Sequence, residues 1–87
     1  MKMDKNQSVQ IKIYSPTKIY FDGPGYSLSA VNDTGPFDVL PEHKNFITLL
    51  KPCDIRVRKP DNLDFVLPVT RGVLHVKKDR VTVFLDV

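Results

Sequence analysis

The chain has 87 residues and a mass of 9.9 kDa, of which 41% are hydrophobic and 26% charged. This length supports one small hydrophobic core and excludes a second domain with a core of its own. The formal net charge of +3 is too small to require nucleic acid or an anionic membrane as a partner.

The composition favours strands over helices. Alanine and glutamate occur once each, whereas valine occurs eleven times, proline seven times, and isoleucine and threonine five times each. β-Branched residues pack well on pleated surfaces, and strong helix formers are scarce. No apolar stretch is long enough to span a membrane, and residues 1–7 lack the apolar run of a secretory signal. We therefore expect a cytosolic location without membrane insertion, a flexible tail over residues 1–7 and a single domain over residues 8–87.

Alternating apolar and polar residues predict the strands of the first half of the chain. Residues 9–14 form a first strand and residues 18–22 a second, which ends where Gly23-Pro24-Gly25 breaks the pattern. A third strand is expected at about 26–32, before the turn-forming residues 32–36.

The same pattern continues through the second half. Residues 37–40 alternate, 41–45 form a polar loop, and the apolar run 46–50 is a strand that ends at Pro52. Two hairpins follow, one joining residues 55–58 to a strand with Leu63, Phe65 and Leu67, the other joining 73–76 to 81–85 through a polar link. Eight or so short strands without a helix predict an antiparallel sandwich or barrel.

Residues that carry chemistry do not form a recognisable site. His43 and His75 are not at a metal-binding spacing, and the lone Cys53 cannot form an internal disulfide. Gly23-Pro24-Gly25 is too short for a phosphate-binding loop. We expect no catalytic residue, no cofactor and no metal, so an enzyme is the least favoured class.

A nucleic-acid-binding barrel is the alternative that the residues leave open. Basic and tyrosine side chains would form its charged stacking surface. These are Arg56, Arg58, Lys59, Lys77, Lys78, Arg80, Tyr14, Tyr20 and Tyr26. Charges on the outward face of a strand are more often simply solvated, so we expect no nucleic acid as partner.

One run of residues resembles a known family. Residues 35–43 read Gly-Pro-Phe-Asp-Val-Leu-Pro-Glu-His and residues 46–52 read Phe-Ile-Thr-Leu-Leu-Lys-Pro. They resemble the Gly-x-Phe/Leu-Gly-Ile-Leu/Tyr-Pro-Gly-His-Ala-Pro-Leu-Leu-Thr-x-Leu-Lys-Pro-Gly motif of the epsilon subunit of F-type ATP synthase. Residues 9–23 and 72–86 are similar to the opening hairpin and the closing stretch of the same domain, so the resemblance covers about residues 9–86.

The resemblance implies the N-terminal domain of that family, a flattened antiparallel β-sandwich of two roughly five-stranded sheets. It implies a non-catalytic subunit of the rotor stalk that attaches the gamma subunit to the c-ring, so that ion-driven rotation drives ATP synthesis. Its place is then peripheral, on the cytoplasmic face of the inner membrane. Isolated, the domain is expected to be a soluble monomer or to self-associate weakly. A relative that kept the sandwich but left the synthase is a further alternative.

The resemblance also assigns interface positions. Ser15, His43 and Thr48 match positions at the gamma interface. The c-ring interface corresponds to Gly35, Pro36, Phe37, Asp38 and Glu42. The family usually has an acidic residue at the position of Pro36, so a polar contact with the c-ring loop is missing or is replaced by Asp38 or Glu42. It has glycine at the positions of Glu42 and Cys53 and Ala-Pro at Lys44-Asn45, which changes a loop rather than the core.

The family normally continues into two C-terminal helices that extend along gamma, inhibit ATP hydrolysis and in some members bind ATP. The sequence given ends at Val87, and two alternatives stay open: the helices follow in the natural subunit, or the natural subunit is short. If it is short, we expect no inhibition by an extending arm.

Overall fold

A computed structural model describes residues 8–61 and 63–85, and the tail predicted over residues 1–7 lies outside them. The described residues form nine strands. They are β1 (Val9–Ser15), β2 (Lys18–Gly25), β3 (Ser27–Asn32), β4 (Gly35–Val39), β5 (Phe46–Leu50), β6 (Cys53–Arg58), β7 (Asp64–Val69), β8 (Gly72–Lys77) and β9 (Arg80–Leu85). No helix in this part of the chain is long and apolar enough to cross a membrane.

The strands form two sheets, which confirms the predicted β-sandwich. The five-stranded sheet has the order β2-β1-β9-β8-β5 and the four-stranded sheet the order β4-β3-β6-β7. Described neighbours pair antiparallel except β1 and β9, which are parallel. The periodicity does not reveal that pair, because it joins the two ends of the chain.

The core lies between the sheets and is built by the inward half of each alternating strand. Its aliphatic side chains are at most 5% exposed. They are Val9, Ile11, Ile13, Leu28, Ala30, Val39, Leu50, Ile55, Val57, Leu74, Val76, Val81, Val83 and Leu85. Aromatic pairs link the two sheets at both sides of the core, with ring centroids 5.1 Å apart for Phe21 and Phe65 and 5.9 Å apart for Phe37 and Phe46.

The structure corrects three details of the predicted strands. The turn predicted over residues 32–36 is confined to residues 33–34, since β3 runs to Asn32 and β4 begins at Gly35. Gly23-Pro24-Gly25 does not break the second strand, since β2 runs to Gly25. β2 is an edge strand, where a proline is tolerated because one side of the backbone has no neighbour to bond. Leu63 was predicted inside the seventh strand, but it precedes β7 and is 65% exposed. Its N–H donates to the Asp61 carboxylate over 2.9 Å, which holds it in the turn.

The turn between β8 and β9 is tighter than the predicted four-residue link. Lys77 pairs with Arg80, so only Lys78 and Asp79 connect the strands. Both have positive φ, 50° and 61°, as a type I′ turn requires. The Asp79 carboxylate also accepts a hydrogen bond of 2.6 Å from the N–H of Glu42, which joins this turn to the β4–β5 loop.

Candidate functional site

An apolar row crosses the outer face of the five-stranded sheet. The register places Leu49 beside Val73, Val73 beside Phe84, Phe84 beside Tyr14, and Tyr14 beside Ile19. These five residues, the apolar row, come from five different strands and point away from the core. Leu49 is 70% exposed, Ile19 58% and Phe84 37%. The row is therefore a continuous apolar surface.

Ring and cation contacts hold the side chains at the centre of the row. The Tyr14 and Phe84 rings meet edge to face with centroids 5.2 Å apart, and the Lys12 ammonium lies 5.1 Å from the Tyr14 centroid. Beside them is an open depression of about 370 Å³. It is lined by Leu49, Leu50, Arg71, Gly72, Val73 and Phe84. Ile47, which is 66% exposed, extends the apolar surface along β5.

The opposite end of the same face is basic. Lys77 and Arg80 lie directly across from each other on β8 and β9, and Lys78 follows in the turn. We call these three residues the basic end. None of them forms an ion pair with a carboxylate in the described part of the chain. The outer face of this sheet thus changes from apolar at one end of its strands to cationic at the other.

The residues predicted at the gamma interface are not brought together. Ser15 ends β1 with its side chain turned inward, and its Oγ accepts a hydrogen bond of 3.4 Å from the Thr17 N–H. Thr48 lies on β5 opposite the buried Leu74, and its Oγ1 accepts from the Asn32 amide over 3.1 Å. Both hydroxyls accept hydrogen bonds from groups of their own chain.

His43 lies in the β4–β5 loop, whereas Ser15 lies on β1 and Thr48 on β5. Its ring packs on Phe46 with centroids 5.0 Å apart. Its Nδ1 donates to the Lys44 carbonyl oxygen over 2.7 Å, since a carbonyl only accepts. The ring is half-buried and positions the start of β5.

The predicted c-ring residues follow an edge of the other sheet. Gly35, Pro36, Phe37 and Asp38 lie on β4, an edge strand, and Glu42 lies in the loop beyond its far end. Gly35 to Val39 spans about 13 Å at 3.3 Å per residue, so the set forms a line rather than a compact patch. Pro36, Asp38 and Glu42 are exposed, whereas Phe37 packs on Phe46. Ser29 donates to the Asp38 carboxylate over 2.6 Å.

The sequence interpretation missed the apolar row, although the sequence contains a signal for it. Leu49-Leu50 and Val83-Phe84-Leu85 place apolar residues on both faces of a strand. In a sandwich one face of each strand is solvated, so the second apolar face indicates a partner. The register that joins these residues into one row is set by pairs distant in the sequence.

The basic residues considered for nucleic-acid binding do not lie on one surface. Arg56 and Arg58 lie on the outer face of the four-stranded sheet, whereas Lys77 and Arg80 lie on the outer face of the five-stranded one. The basic residues are thus divided between opposite faces of the sandwich.

Within residues 8–61 and 63–85, no three His, Cys, Asp or Glu side chains are grouped to hold a metal.

Comparison with known proteins identifies the family. Residues 8–87 match the family described as "ATP synthase, Delta/Epsilon chain, beta-sandwich domain". The chain belongs to this family. It is 38% identical over 79 residues to the ATP synthase epsilon chain of Psychrobacter cryohalolentis and 30% identical to that of Nitrosococcus oceani. Each alignment covers 91% of this chain and 57% or 56% of the relative, so the chain spans little more than half the length of these relatives.

Solved structures show the same fold. A chain of the Euglena gracilis mitochondrial ATP synthase (OSCP/F1/c-ring) superposes with a TM-score of 0.85 and 14% identity, covering 98% of this chain and 54% of that one. A chain of the Tetrahymena thermophila mitochondrial ATP synthase (central stalk/c-ring) superposes with a TM-score of 0.73 and 18% identity, covering 94% of this chain and 66% of that one. The resemblance read from residues 9–86 is confirmed at the level of family and fold.

Proposed function

We propose that this chain is a non-catalytic subunit of the rotor stalk of an F1Fo ATP synthase, which attaches the gamma subunit to the c-ring. Its relatives are epsilon chains, and chains of similar fold occur in ATP synthase complexes containing the central stalk or the c-ring. In this role it couples ion-driven rotation to ATP synthesis without performing chemistry. It is then a peripheral part of a membrane-bound complex, on the cytoplasmic face of the inner membrane.

The apolar row carries this proposal. An exposed apolar surface on a chain of this size marks a site of protein association. Leu49 and Phe84 lie on opposite sides of Val73, so a partner placed on the row would bury all three side chains together. A Leu or Phe side chain buried in this way contributes about 1.5–3 kcal/mol. We propose that gamma occupies this face.

The interface residues predicted for gamma support the same face indirectly. Ser15 follows Tyr14 on β1, and Thr48 lies between Ile47 and Leu49 on β5. The hydrogen bond from Asn32 to Thr48 ties the edge strand β5 to the end of β3. We propose that these residues hold the strands that carry the apolar row, and that His43 does the same for the start of β5.

A separate surface serves the c-ring in this proposal. The exposed Pro36, Asp38 and Glu42 follow the β4 edge and the loop after it, on the other sheet. The polar side chains at this edge offer hydrogen-bonding groups to a loop of the ring. The β4 edge belongs to the four-stranded sheet and the apolar row to the outer face of the five-stranded one, so we propose that the two partners contact different strands.

Binding to gamma tests the proposal with a matched pair of leucines. Leu49, on the apolar row, is 70% exposed, and Leu63, outside it, is 65% exposed. We expect the wild-type protein to co-elute with its cognate gamma subunit in size-exclusion chromatography at moderate salt. Leu49→Ser should raise the Kd about tenfold or more, whereas Leu63→Ser should leave it unchanged.

Two results would contradict the proposal. If wild-type protein forms no complex with gamma, the proposed rotor function is wrong. Salt-sensitive binding to single-stranded RNA would then favour the nucleic-acid alternative. Equal weakening by the two leucine variants would place the gamma interface elsewhere on the sandwich.

A further inference from the structure

We infer that the gamma segment on this face is acidic next to its apolar residues, and that its carboxylates meet the basic end, Lys77, Lys78 and Arg80. The inference rests on the proposed function, because it names the chemistry of the partner at the same face. It also fixes how that partner lies on the sheet. The apolar side chains cover the row, and the carboxylates point toward the β8–β9 turn.

The first observation is a like-charge pair on two interior strands, next to the turn that joins them. Lys77 and Arg80 are direct cross-strand neighbours with side chains on the same face, an arrangement that destabilises an antiparallel pair. Basic residues are common on edge strands, where they prevent sheet-to-sheet pairing. β8 and β9 are interior strands of the five-stranded sheet, so that explanation does not apply.

The second observation is that no carboxylate in the described part of the chain forms an ion pair with the basic end. Lys51, Arg56 and Lys59 each lie within 4 Å of an aspartate oxygen, at 3.1, 3.0 and 3.7 Å. The basic end has no such contact with a described carboxylate. The carboxylate of Asp79, between Lys78 and Arg80, is bonded to the Glu42 N–H instead. Three cations on one side of the sandwich therefore remain available to an external anion.

The geometry sets the spacing within the partner. From Phe84 on the row to Arg80 at the basic end is four residues along β9, or about 13 Å. A helix lying parallel to β9 covers that distance in about nine residues, since it rises 1.5 Å per residue. On the β2 side of the face Lys12 has the carboxylate residue Asp22 as its cross-strand neighbour, whereas Arg80 has Lys77 and Gln10. The acidic groups are therefore expected over β8 and β9.

Charge removal tests the inference without harming the fold. Lys77→Gln and Arg80→Gln, combined, end the like-charge pairing, so Tm should stay equal or rise. Association with gamma is measured by surface plasmon resonance at 50 mM and 1 M NaCl. We expect the double variant to associate about tenfold more slowly at 50 mM, and to match the wild type at 1 M, where charges are screened beyond about 3 Å. Arg58→Gln, which removes an exposed cation from the opposite face, is the control and should have no effect.

The other results separate the inference from the proposed function. If wild-type protein binds gamma and the double variant binds equally fast at low salt, the inference is wrong and the rotor proposal stands. If wild-type protein does not bind gamma, the proposed function fails first. If analytical ultracentrifugation shows a dimer that Phe84→Ser dissociates, the face is occupied by a second copy of the chain. If the double variant instead loses binding to vesicles of phosphatidylglycerol, the basic end serves lipid. Either of the last two results overturns the inference.

Discussion

Asp79 combines two contributions to stability that substitutions can separate. Its backbone has φ of 61°, a left-handed conformation that costs most residues about 1–2 kcal/mol and that Asp, Asn and Gly tolerate. Its carboxylate accepts the Glu42 N–H over 2.6 Å. A hydrogen bond of this kind contributes about 1 kcal/mol where water reaches it, as here. The turn and the β4–β5 loop are therefore stabilised by the same residue.

Three substitutions divide these contributions. Asp79→Asn keeps the left-handed preference and an acceptor oxygen, so we expect a loss below about 1 kcal/mol. Asp79→Gly keeps the conformation but removes the acceptor, and greater freedom of the unfolded chain adds to the loss, for a total of about 1–2 kcal/mol. Asp79→Ala loses the acceptor and adds backbone strain, for about 2–3 kcal/mol.

Thermal and urea unfolding measure the order of these variants. For a domain of this size, 1 kcal/mol corresponds to a change in Tm of about 4–8 °C. Asp79→Ala should therefore melt about 10–20 °C below the wild type, and Asp79→Gly should fall between Ala and Asn. Equal stability of the Ala and Gly variants would refute the strain argument. Equal stability of the Asn and Gly variants would refute the role of the bond to Glu42.

The sequence predicted the strands well where only one face of each is apolar. Val9, Ile11 and Ile13 alternate with polar residues because β1 is buried on one side, and the structure places all three in the core. The pattern failed at Gly23-Pro24-Gly25, because tolerance of proline depends on whether a strand lies at an edge, which is a property of the whole sheet. Neither that position nor the parallel pairing of β1 with β9 can be derived from local periodicity.

The candidate site was harder to predict because it also depends on pairing between strands that are distant in the sequence. Phe84 and Leu49 each look like core residues in their own strands, and only the pairing with Val73 places them in one exposed row. The resemblance pointed to Ser15 and Thr48, which are neighbours of the row in sequence and turn their side chains inward. Which side of a strand an apolar residue faces depends on the register, and long-range pairing sets it.

Packing and hydrogen bonding between the strands give three further predictions. Leu74→Ala deletes a fully buried side chain and should lower the free energy of unfolding by about 2–5 kcal/mol in urea denaturation. Thr48→Val should cost about 1 kcal/mol and loosen the β5 edge in hydrogen exchange, because the Asn32 amide loses its acceptor. At Gly72, an added Cβ would lie 2.9 Å from the Phe84 carbonyl oxygen, a backbone atom that cannot move without shifting β9. At Gly23, an added Cβ would have no neighbour within 4 Å. Gly72→Ala should therefore cost about 1–3 kcal/mol and Gly23→Ala nothing measurable or a slight gain in Tm. Equal Tm values for the two alanine variants would show that the β9 backbone shifts at Phe84 to accommodate the added Cβ. The strand that carries Phe84 would then be less rigid than its packing indicates.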